Sequence, residues 1–350
     1  MSLGKTQKVT LNDVARAAGV SRGAAGKVLN NCTGSIRVGK EARERIEKAA
    51  RALGYQGNMA AAMLAGKKSP LVGVMMDSRS SFRRMKLVSE LESAATKRNL
   101  RLLISCTHDN IEQMRRNRRE MESFGVRGII CLAHDYYEFK DEVIELFAGN
   151  CSNVIFAEEP FFPGGAYVQS SNEDAMAGLC GYLKSIGRKR IALVRGSLQW
   201  FSEREQERSF KNALLRNGIA FDTELVQYLG IEDEVVYNLE KVLRNFILQQ
   251  RPDAVIADDA PSLLCLKKAI HDTGIRIPED LILCGCNNDP LFELFTPPVI
   301  SLAPRYTELA EALLNAVEES STPGCKAVIH AGFTAPELTE KIDIPELVTV

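Results

Sequence analysis

Three short segments at the start of the chain repeat apolar residues at the spacing of a helix. Thr10 and Asp13 precede and enter the first segment at capping-box spacing, and Gly19 follows it. The third segment ends before Gly54, a residue suited to close a helix. The apolar stripes of the first and third segments are Leu11, Val14, Ala15 and Ala18, and Val38, Ala42, Ile46, Ala49 and Leu53.

The second segment, GVSRGAAGKVLN over residues 19–30, allows a choice between a phosphate-binding loop and a helix. A phosphate loop needs glycine where this stretch has Ser21, and Ser or Thr where it has Val28. Wound at about 100° per residue, residues 21–30 instead form two separate faces. The small and cationic face holds Arg22, Gly23, Gly26, Lys27 and Asn30, and the apolar face holds Ala24, Ala25, Val28 and Leu29. With Ser21 as N-cap, this segment is predicted to be the second helix of a helix-turn-helix.

From Leu71 onward, short apolar runs alternate with amphipathic segments, a pattern typical of parallel sheets covered by helices. Strands are predicted at 71–76, 101–105, 128–133 and 153–157, and again at 190–195, 225–228, 253–257 and 281–286. Two sets of strands predict two doubly wound α/β lobes. In such sheets ligands bind beyond the carboxyl ends of the strands, so we expect a ligand site in the cleft between the lobes.

The net charge of −1 conceals a division between two parts of the chain. Residues 1–68 carry 13 basic and 4 acidic residues, whereas residues 69–350 carry 31 basic and 41 acidic residues. A small basic head on an acidic body is typical of a protein whose head binds a polyanion. A plain helical bundle with a solvated basic face is the alternative interpretation of the head.

Composition indicates an ordinary cytoplasmic protein without a membrane partner. No apolar run reaches the length of a membrane span, and residues 1–10 lack the apolar block of a signal peptide. Most of the nine cysteines, including Cys131, Cys284 and Cys286, lie in apolar runs and are predicted to be buried free thiols. The four histidines show no metal-ligand spacing, so we predict neither a metal nor a cofactor.

An enzyme is not predicted, and no residue is assigned a catalytic role. The chain contains neither a Gly-x-Ser-x-Gly elbow nor a dinucleotide-binding fingerprint. Glu158-Glu159 and Asp258-Asp259 are adjacent acids, but neighbouring side chains on a strand or loop usually point apart.

Four stretches, VTLNDVARAAGVS, KVLN, EARERIEKAARALGY and LAGKKSPLVGV, stand in an order and spacing that resemble the lac repressor–galactose repressor family of bacterial regulators. The resemblance continues to IPEDLILCGCNNDPLFELFTPPVISL and covers nearly the whole chain. It implies a helix-turn-helix head, a hinge helix and a two-lobed core like that of periplasmic binding proteins. The implied boundaries are 8–57 for the head, 58–69 for the hinge helix and linker, 70–167 with 299–328 for the first lobe, and 168–298 with 329–350 for the second.

The resemblance also implies how the head contacts DNA. Arg22 and Gly23 are expected to face base edges in the major groove, where the arginine fork suits the O6 and N7 acceptors of guanine. Lys27 and Asn30 are expected to hold phosphates, and Leu64 to wedge into the minor groove from a hinge helix over 58–65. The predicted DNA contacts are Thr10, Ser21, Arg22, Gly23, Lys27, Asn30, Tyr55, Asn58 and Leu64.

Predicted ligand contacts come from the loops that follow the strands. Trp200, the one tryptophan of the chain, is expected to stack on a sugar or base ring or to anchor the rim of the cleft. Gln206 stands where relatives usually have an arginine. The predicted ligand contacts are Arg79, Phe82, Arg83, His134, Glu158, Trp200, Gln206, Asp258 and Asn287. The effector is expected to be a sugar, a sugar derivative or a nucleobase-like molecule.

These features together predict a transcriptional regulator, in the first place a repressor, that binds a palindromic operator as a homodimer under the control of an effector. A homodimer is expected because the chain up to Val350 lacks the leucine-heptad tail that would join two dimers. The alternative is a small-molecule sensor with weak or lost DNA binding. This alternative rests on residues 24–27, which read Ala-Ala-Gly-Lys where the family usually has Thr-Val-Ser-Arg.

Overall fold

A computed structural model describes most of the chain. The described residues are 9–30, 37–57, 63, 68–77, 82–107, 110–133, 139–147, 153–160, 162–195, 201–229, 236–319, 326–330 and 332–334. The chain divides into two units, Met1–Ser69 and Pro70–Val350. Within the described ranges, no helix combines the length and the apolar character needed to cross a membrane.

The first unit contains the three predicted helices, α1 (Leu11–Ala18), α2 (Arg22–Asn30) and α3 (Lys40–Leu53). Glycines 19 and 54 close α1 and α3 with φ of 64° and 63°, the left-handed conformation that glycine adopts without strain. The three helices bury one small apolar core. Its buried members are Val14, Ala15, Ala18, Ala25, Val28, Ile46 and Ala50.

The second unit alternates strands and helices along most of its length. Its strands are β1 (Leu71–Met76), β2 (Arg101–Cys106), β3 (Ile129–Cys131), β4 (Val154–Phe156), β5 (Ala166–Ser171), β6 (Ile191–Arg195), β7 (Val226–Tyr228), β8 (Ala254–Ala257), β9 (Ile282–Gly285), β10 (Ile300–Ala303), β11 (Lys326–His330) and β12 (Gly332–Thr334). Its α-helices are α4 (Phe82–Lys97), α5 (Ile111–Ser123), α6 (Lys140–Phe147), α7 (Glu173–Ser185), α8 (Phe201–Arg216), α9 (Val236–Gln250), α10 (Ala260–Ala269) and α11 (Tyr306–Glu318).

The strands form two six-stranded sheets, with the orders β11-β5-β4-β3-β1-β2 and β12-β10-β9-β8-β6-β7. Among the described pairings, only that of β10 with β12 is antiparallel. In each sheet the strand order reverses beside the strand that comes first along the chain, β1 or β6. This reversal is the switch point where doubly wound proteins bind ligands. The predicted α/β fold class with two doubly wound lobes is confirmed.

The central strands of both sheets are buried on both faces, which explains why they are continuous apolar runs, whereas the edge strands β2 and β7 are partly exposed. In the first sheet Val74 packs into the core beneath α4 and α11, whereas its neighbour Met75 packs into the core beneath α5 and α6. In the second sheet Val194 and Leu193 divide in the same way between two cores. The alternation follows from the period of two residues in a strand.

Strand pairing places the crossings between the lobes later along the chain than predicted. Strand β5 pairs within the first sheet up to Ser171, although 168–171 were assigned to the second lobe. Strand β10 pairs within the second sheet, although the prediction placed 299–328 in the first lobe, and β11 stays in the first sheet up to His330. Hydrophobic patterning identifies a strand but not the sheet that it joins, so these boundaries needed the structure.

Candidate functional site

Helix α2 of the head has one buried face and one exposed face. Ala25 and Val28 are buried, whereas Arg22 and Gly23 are exposed in its first turn. The Oγ atom of Ser21 accepts a hydrogen bond from the backbone N–H of Ala24 (3.2 Å), which is the predicted N-cap. The N-cap therefore satisfies one of the free backbone N–H groups of the first turn, and this turn carries an exposed arginine.

The other predicted DNA contacts of the head have varied surroundings. Thr10 forms the capping box of α1, where its backbone N–H donates to Oδ2 of Asp13 (3.0 Å). The hydrogen bond from the Thr10 hydroxyl lowers the pKa of Asp13 below its usual value. Lys27 is half-buried, and Tyr55 packs against the apolar core of the head.

Three predicted DNA contacts are not described at the level of their side chains. The backbone of Asn30 belongs to α2, but its side chain lies outside the described part. Asn58 and Leu64, with most of the proposed hinge helix over 58–65, also lie outside the described residues.

In the second unit, five predicted ligand contacts lie where strands of both sheets end. Arg83 lies in the first turn of α4, which follows β1, and Glu158 follows β4. Gln206 belongs to the helix after β6, Asp258 follows β8, and Asn287 follows β9. We call these five residues the cleft cluster.

Polar contacts join the cleft cluster across the two lobes. Nη2 of Arg83 donates to Oε1 of Glu158 within the first lobe. With the amide of Gln206 oriented so that both of its polar atoms have partners, its Oε1 accepts from Nη1 of Arg83 (3.2 Å) and its Nε2 donates to Oδ1 of Asp258 (2.9 Å). A chain of side chains therefore runs from the carboxylate of Glu158 to that of Asp258, and Arg83 with Gln206 forms the inter-lobe link.

Asn287 and Tyr306 extend this network toward the crossing between the lobes. Nδ2 of Asn287 donates to the backbone oxygen of Asp258 (3.0 Å), and its Oδ1 accepts from the hydroxyl of Tyr306 (3.4 Å). The backbone of Asn287 has a φ of 71°, so the side chain is held on a strained turn. Burial raises the pKa of Tyr306 to about 12, so its hydroxyl stays a donor at neutral pH.

Arg195 was not among the predicted site residues, yet its side chain lies beside the cleft cluster. It is the last residue of β6, only 1% exposed, and its Nη2 lies 4.0 Å from Oδ2 of Asp258. The loop search missed it because Arg195 belongs to the strand and not to the loop. A charge that ends the otherwise apolar run IALVR is the sequence signal that marks it.

The adjacent acids do not form carboxylate pairs. Asp259 caps α10 by accepting from the backbone N–H of Ser262 (2.8 Å), whereas Asp258 joins the cleft cluster. Glu158 pairs with Arg83, and Glu159 hydrogen-bonds Tyr167.

The buried thiols do not provide a nucleophile. Cys131, Cys284 and Cys286 are free and buried, as predicted. Burial raises the pKa of Cys131 to about 12 and that of Cys286 well above its usual value, so neither forms a reactive thiolate at neutral pH. Among the described residues, no three His, Cys, Asp or Glu side chains cluster in a way that could hold a metal ion.

The remaining predicted ligand contacts cannot be placed in the cleft. Arg79, His134 and Trp200 lie outside the described residues, and only the backbone of Phe82 is described.

A concavity of about 790 Å³ is lined in part by Asn287 and Tyr306. Its polar side chains pair with one another: Glu90 accepts from Lys86 (3.0 Å) and from Thr307 (3.1 Å). These contacts satisfy Glu90, whereas the guanidinium of Arg195 has no hydrogen-bond partner among the described residues, so the surroundings of Arg195 are the stronger candidate for a ligand site.

Comparisons with known proteins agree with both parts of the molecule. The family model for bacterial regulatory proteins of the lacI family matches residues 10–58, and the model for a periplasmic binding protein-like domain matches residues 180–338. The HTH-type transcriptional repressor PurR of Vibrio vulnificus is 25% identical over 294 residues, which are 84% of this chain and 86% of that protein. Catabolite control protein A of Staphylococcus aureus is 28% identical over 299 residues, 84% of this chain and 87% of its own.

A solved structure of the lac repressor dimer bound to operator and the anti-inducer ONPF has the same fold. It matches with a TM-score of 0.78 at 22% identity, covering 94% of this chain and 98% of that one. The first family model coincides with the helix-turn-helix head, and the second covers most of the second lobe and the crossings. The chain therefore combines a DNA-binding domain of the lacI family of bacterial regulatory proteins with a periplasmic binding protein-like domain.

Proposed function

We propose that this protein is a transcriptional repressor that binds a palindromic operator as a homodimer, with one head on each half-site. The observation that carries the proposal is helix α2, which is capped by Ser21, packed on one face and exposed at Arg22 and Gly23. The similarity to PurR, named a transcriptional repressor, and to a lac repressor bound to operator supports the same activity.

Gly26 gives a structural reason for one departure of this helix from the family pattern. A Cβ atom at Gly26 would lie 3.3 Å from Cδ2 of Leu11 on α1, closer than most side chains pack. The glycine therefore favours a close approach of α1 and α2.

The core is proposed to bind the effector in the cleft, in contact with the cleft cluster. Its carboxylates, amides and guanidinium can accept from and donate to the hydroxyls or ring nitrogens of a sugar, a sugar derivative or a nucleobase-like molecule. Trp200, also proposed as a contact, would report binding through its fluorescence because the chain has one tryptophan.

Selection from a randomised palindromic DNA library tests the proposal against its alternative. A repressor of this kind enriches one inverted repeat with two half-sites separated by about one helical turn or a multiple of it. The alternative, a sensor with weak or lost DNA binding, predicts that no sequence is enriched. The selected operator then serves the experiments that follow.

Replacing Arg22 and Lys27 by alanine should have different effects on operator binding. Arg22→Ala is expected to cost about 1–3 kcal/mol at one base pair and to relax specificity there. Lys27→Ala is expected to weaken binding to all sequences alike and to reduce the salt dependence of binding. The measurement is a titration of the selected operator and its single-base variants at several salt concentrations.

The control is Lys48→Ala, which removes an exposed cation from α3, where no DNA contact is predicted. Operator affinity and specificity that are unchanged in both Arg22→Ala and Lys27→Ala would show that α2 is not the reading helix.

A further inference from the structure

Two arginines are buried among the described residues, and their surroundings differ. Arg118, 5% exposed, donates from Nη1 to the backbone oxygen of Leu146 (2.7 Å) and from Nε to Glu122 (3.0 Å), and it lies over the ring of Phe147. Arg195 is still more buried, but its Nε, Nη1 and Nη2 have no hydrogen-bond partner among the described residues. Arg118 is a structural arginine, whereas the donors of Arg195 are unsatisfied.

An unsatisfied buried guanidinium is costly, because it loses hydration without regaining its hydrogen bonds. The carboxylate of Asp258 reduces that cost only in part, because its Oδ2 is 4.0 Å from Nη2, beyond hydrogen-bond distance. Its Oδ1 already accepts from Gln206. The fold therefore keeps a cation with free donors beside the cleft cluster.

Two further orphan groups lie at the same end of the sheets. Oγ of Ser170 and Oδ1 of Asn172 are buried without a partner at the carboxyl end of β5, where the chain crosses to the second lobe. Buried polar atoms normally have partners, and among the described residues Nε of Arg188 and Oγ of Ser209 also lack one; only Arg195, Ser170 and Asn172 lie at the carboxyl ends of strands, where a ligand could satisfy them.

We propose that Arg195 binds an anionic oxygen group, a carboxylate or a phosphate, of the molecule that occupies the cleft. This inference rests on the proposed effector site and narrows its ligand to an acid or a phosphate ester. The planar fork of arginine suits bidentate contact with either group. Gln206 bridges Arg83 and Asp258, so a ligand anion on Arg195 would lie beside the inter-lobe link.

The charges nearby limit the number of negative groups in the ligand to one. Arg83 and Glu158 pair with each other, and Asp258 is the acid nearest to Arg195 among the described contacts. An anion that donates no proton would repel Asp258, so we expect its oxygens on Arg195 and its hydroxyls or N–H groups on Asp258 and Asn287.

The test compares the full chain with the variants Arg195→Met and Arg118→Met, without DNA. Methionine has a similar volume and removes the unsatisfied cation, so Arg195→Met should leave the melting temperature of the ligand-free protein unchanged or raised. Arg118→Met should lower it, because it leaves a buried carbonyl and Glu122 without their donor. An Arg195→Met protein destabilised as much as Arg118→Met would make Arg195 structural and overturn the proposal.

The ligand arm uses sodium phosphate, sodium acetate and sodium chloride at equal ionic strength, followed by glucose 6-phosphate and glucuronate against glucose. At least one class of probe, phosphate or carboxylate, is expected to raise the melting temperature of the wild type above its value with chloride or glucose. The class that does so identifies the anion that Arg195 binds. Affinity for the active probe should fall about 10- to 100-fold in Arg195→Met. Arg195→Lys keeps the positive charge but loses the planar fork, so the probe should stabilise this variant less than the wild type.

Equal responses of wild type and Arg195→Met to every probe would contradict the proposal. Because this assay contains no DNA, its outcome is separate from that of operator selection. If the protein binds the anion through Arg195 but selects no operator, the inference about Arg195 stands and the proposal that the protein is a repressor is refuted.

Discussion

Gly285→Ala is expected to destabilise the second lobe by about 3 kcal/mol. Gly285 ends β9, and a Cβ atom there would overlap the ring of Phe292. That ring is 6% exposed and packs edge-on against Phe295, with 6.2 Å between ring centroids. The ring would have to leave its site, which loses its burial and disturbs the loop that carries Asn287.

Gly73→Ala on β1 is the matched control. A Cβ atom at Gly73 would lie 2.7 Å from Sδ of Met121, the flexible end of a side chain that can shift, so its cost should be clearly smaller. Urea unfolding of the full chain and the two variants measures both effects. Equal losses of stability would mean that the ring of Phe292 shifts as easily as the side chain of Met121. That result would contradict the proposed cost of placing a Cβ atom at Gly285.

Leu64→Ser is expected to weaken operator binding by about 1.5–3 kcal/mol per hinge, about 10- to 100-fold for each protomer. Residues 58–65, NMAAAMLA, are too few to form a stable isolated helix, so the proposed hinge helix gains its stability on DNA. A serine removes the apolar side chain that is proposed to insert between base pairs. Glycine at Ala61 or Ala62 should act in the same direction by raising the cost of helix formation.

Leu64→Met is the control, because it keeps an apolar side chain of similar volume and should retain most of the affinity. Ligand affinity of the DNA-free protein should be the same in wild type and Leu64→Ser. If Leu64→Ser binds the selected operator as tightly as wild type, residues 58–65 are a passive tether.

The sequence predicts the positions of the central strands because these are buried on both faces, whereas β5 and β10 to β12 were not predicted as strands. Val74 and Met75 illustrate this: both are buried, on opposite sides of one sheet, so the run LVGVMM carries no polar interruption. Because the runs are alike in being apolar, the sequence does not indicate which strands pair with one another. The resemblance placed 299–328 in the first lobe and 329–350 in the second, and these ranges were displaced because β10 pairs within the second sheet and β11 within the first.

The cleft cluster could be predicted because strand ends at a switch point converge. Arg83 and Asp258 were both selected from loops in this way, and the structure joins them through Gln206. Arg195 and Tyr306 were missed for a physical reason: Arg195 is the last residue of a strand and Tyr306 is the first residue of a helix, so a search of the loops alone does not include them. The lack of partners for the Arg195 donors depends on how the chain packs in three dimensions, so it cannot be predicted from a sequence pattern.

Ligand-dependent operator binding is the central claim, and titration of the selected operator at fixed salt tests it most directly. The titration is run on the full chain without ligand and with the probe that stabilises the core most. A ligand can change DNA affinity only through its different affinities for two states of the core, and such coupling is typically about 5- to 150-fold. We predict a change of operator affinity in this range for wild type and its loss in Arg195→Met, whereas a bound probe that leaves the wild-type affinity unchanged would contradict the claim.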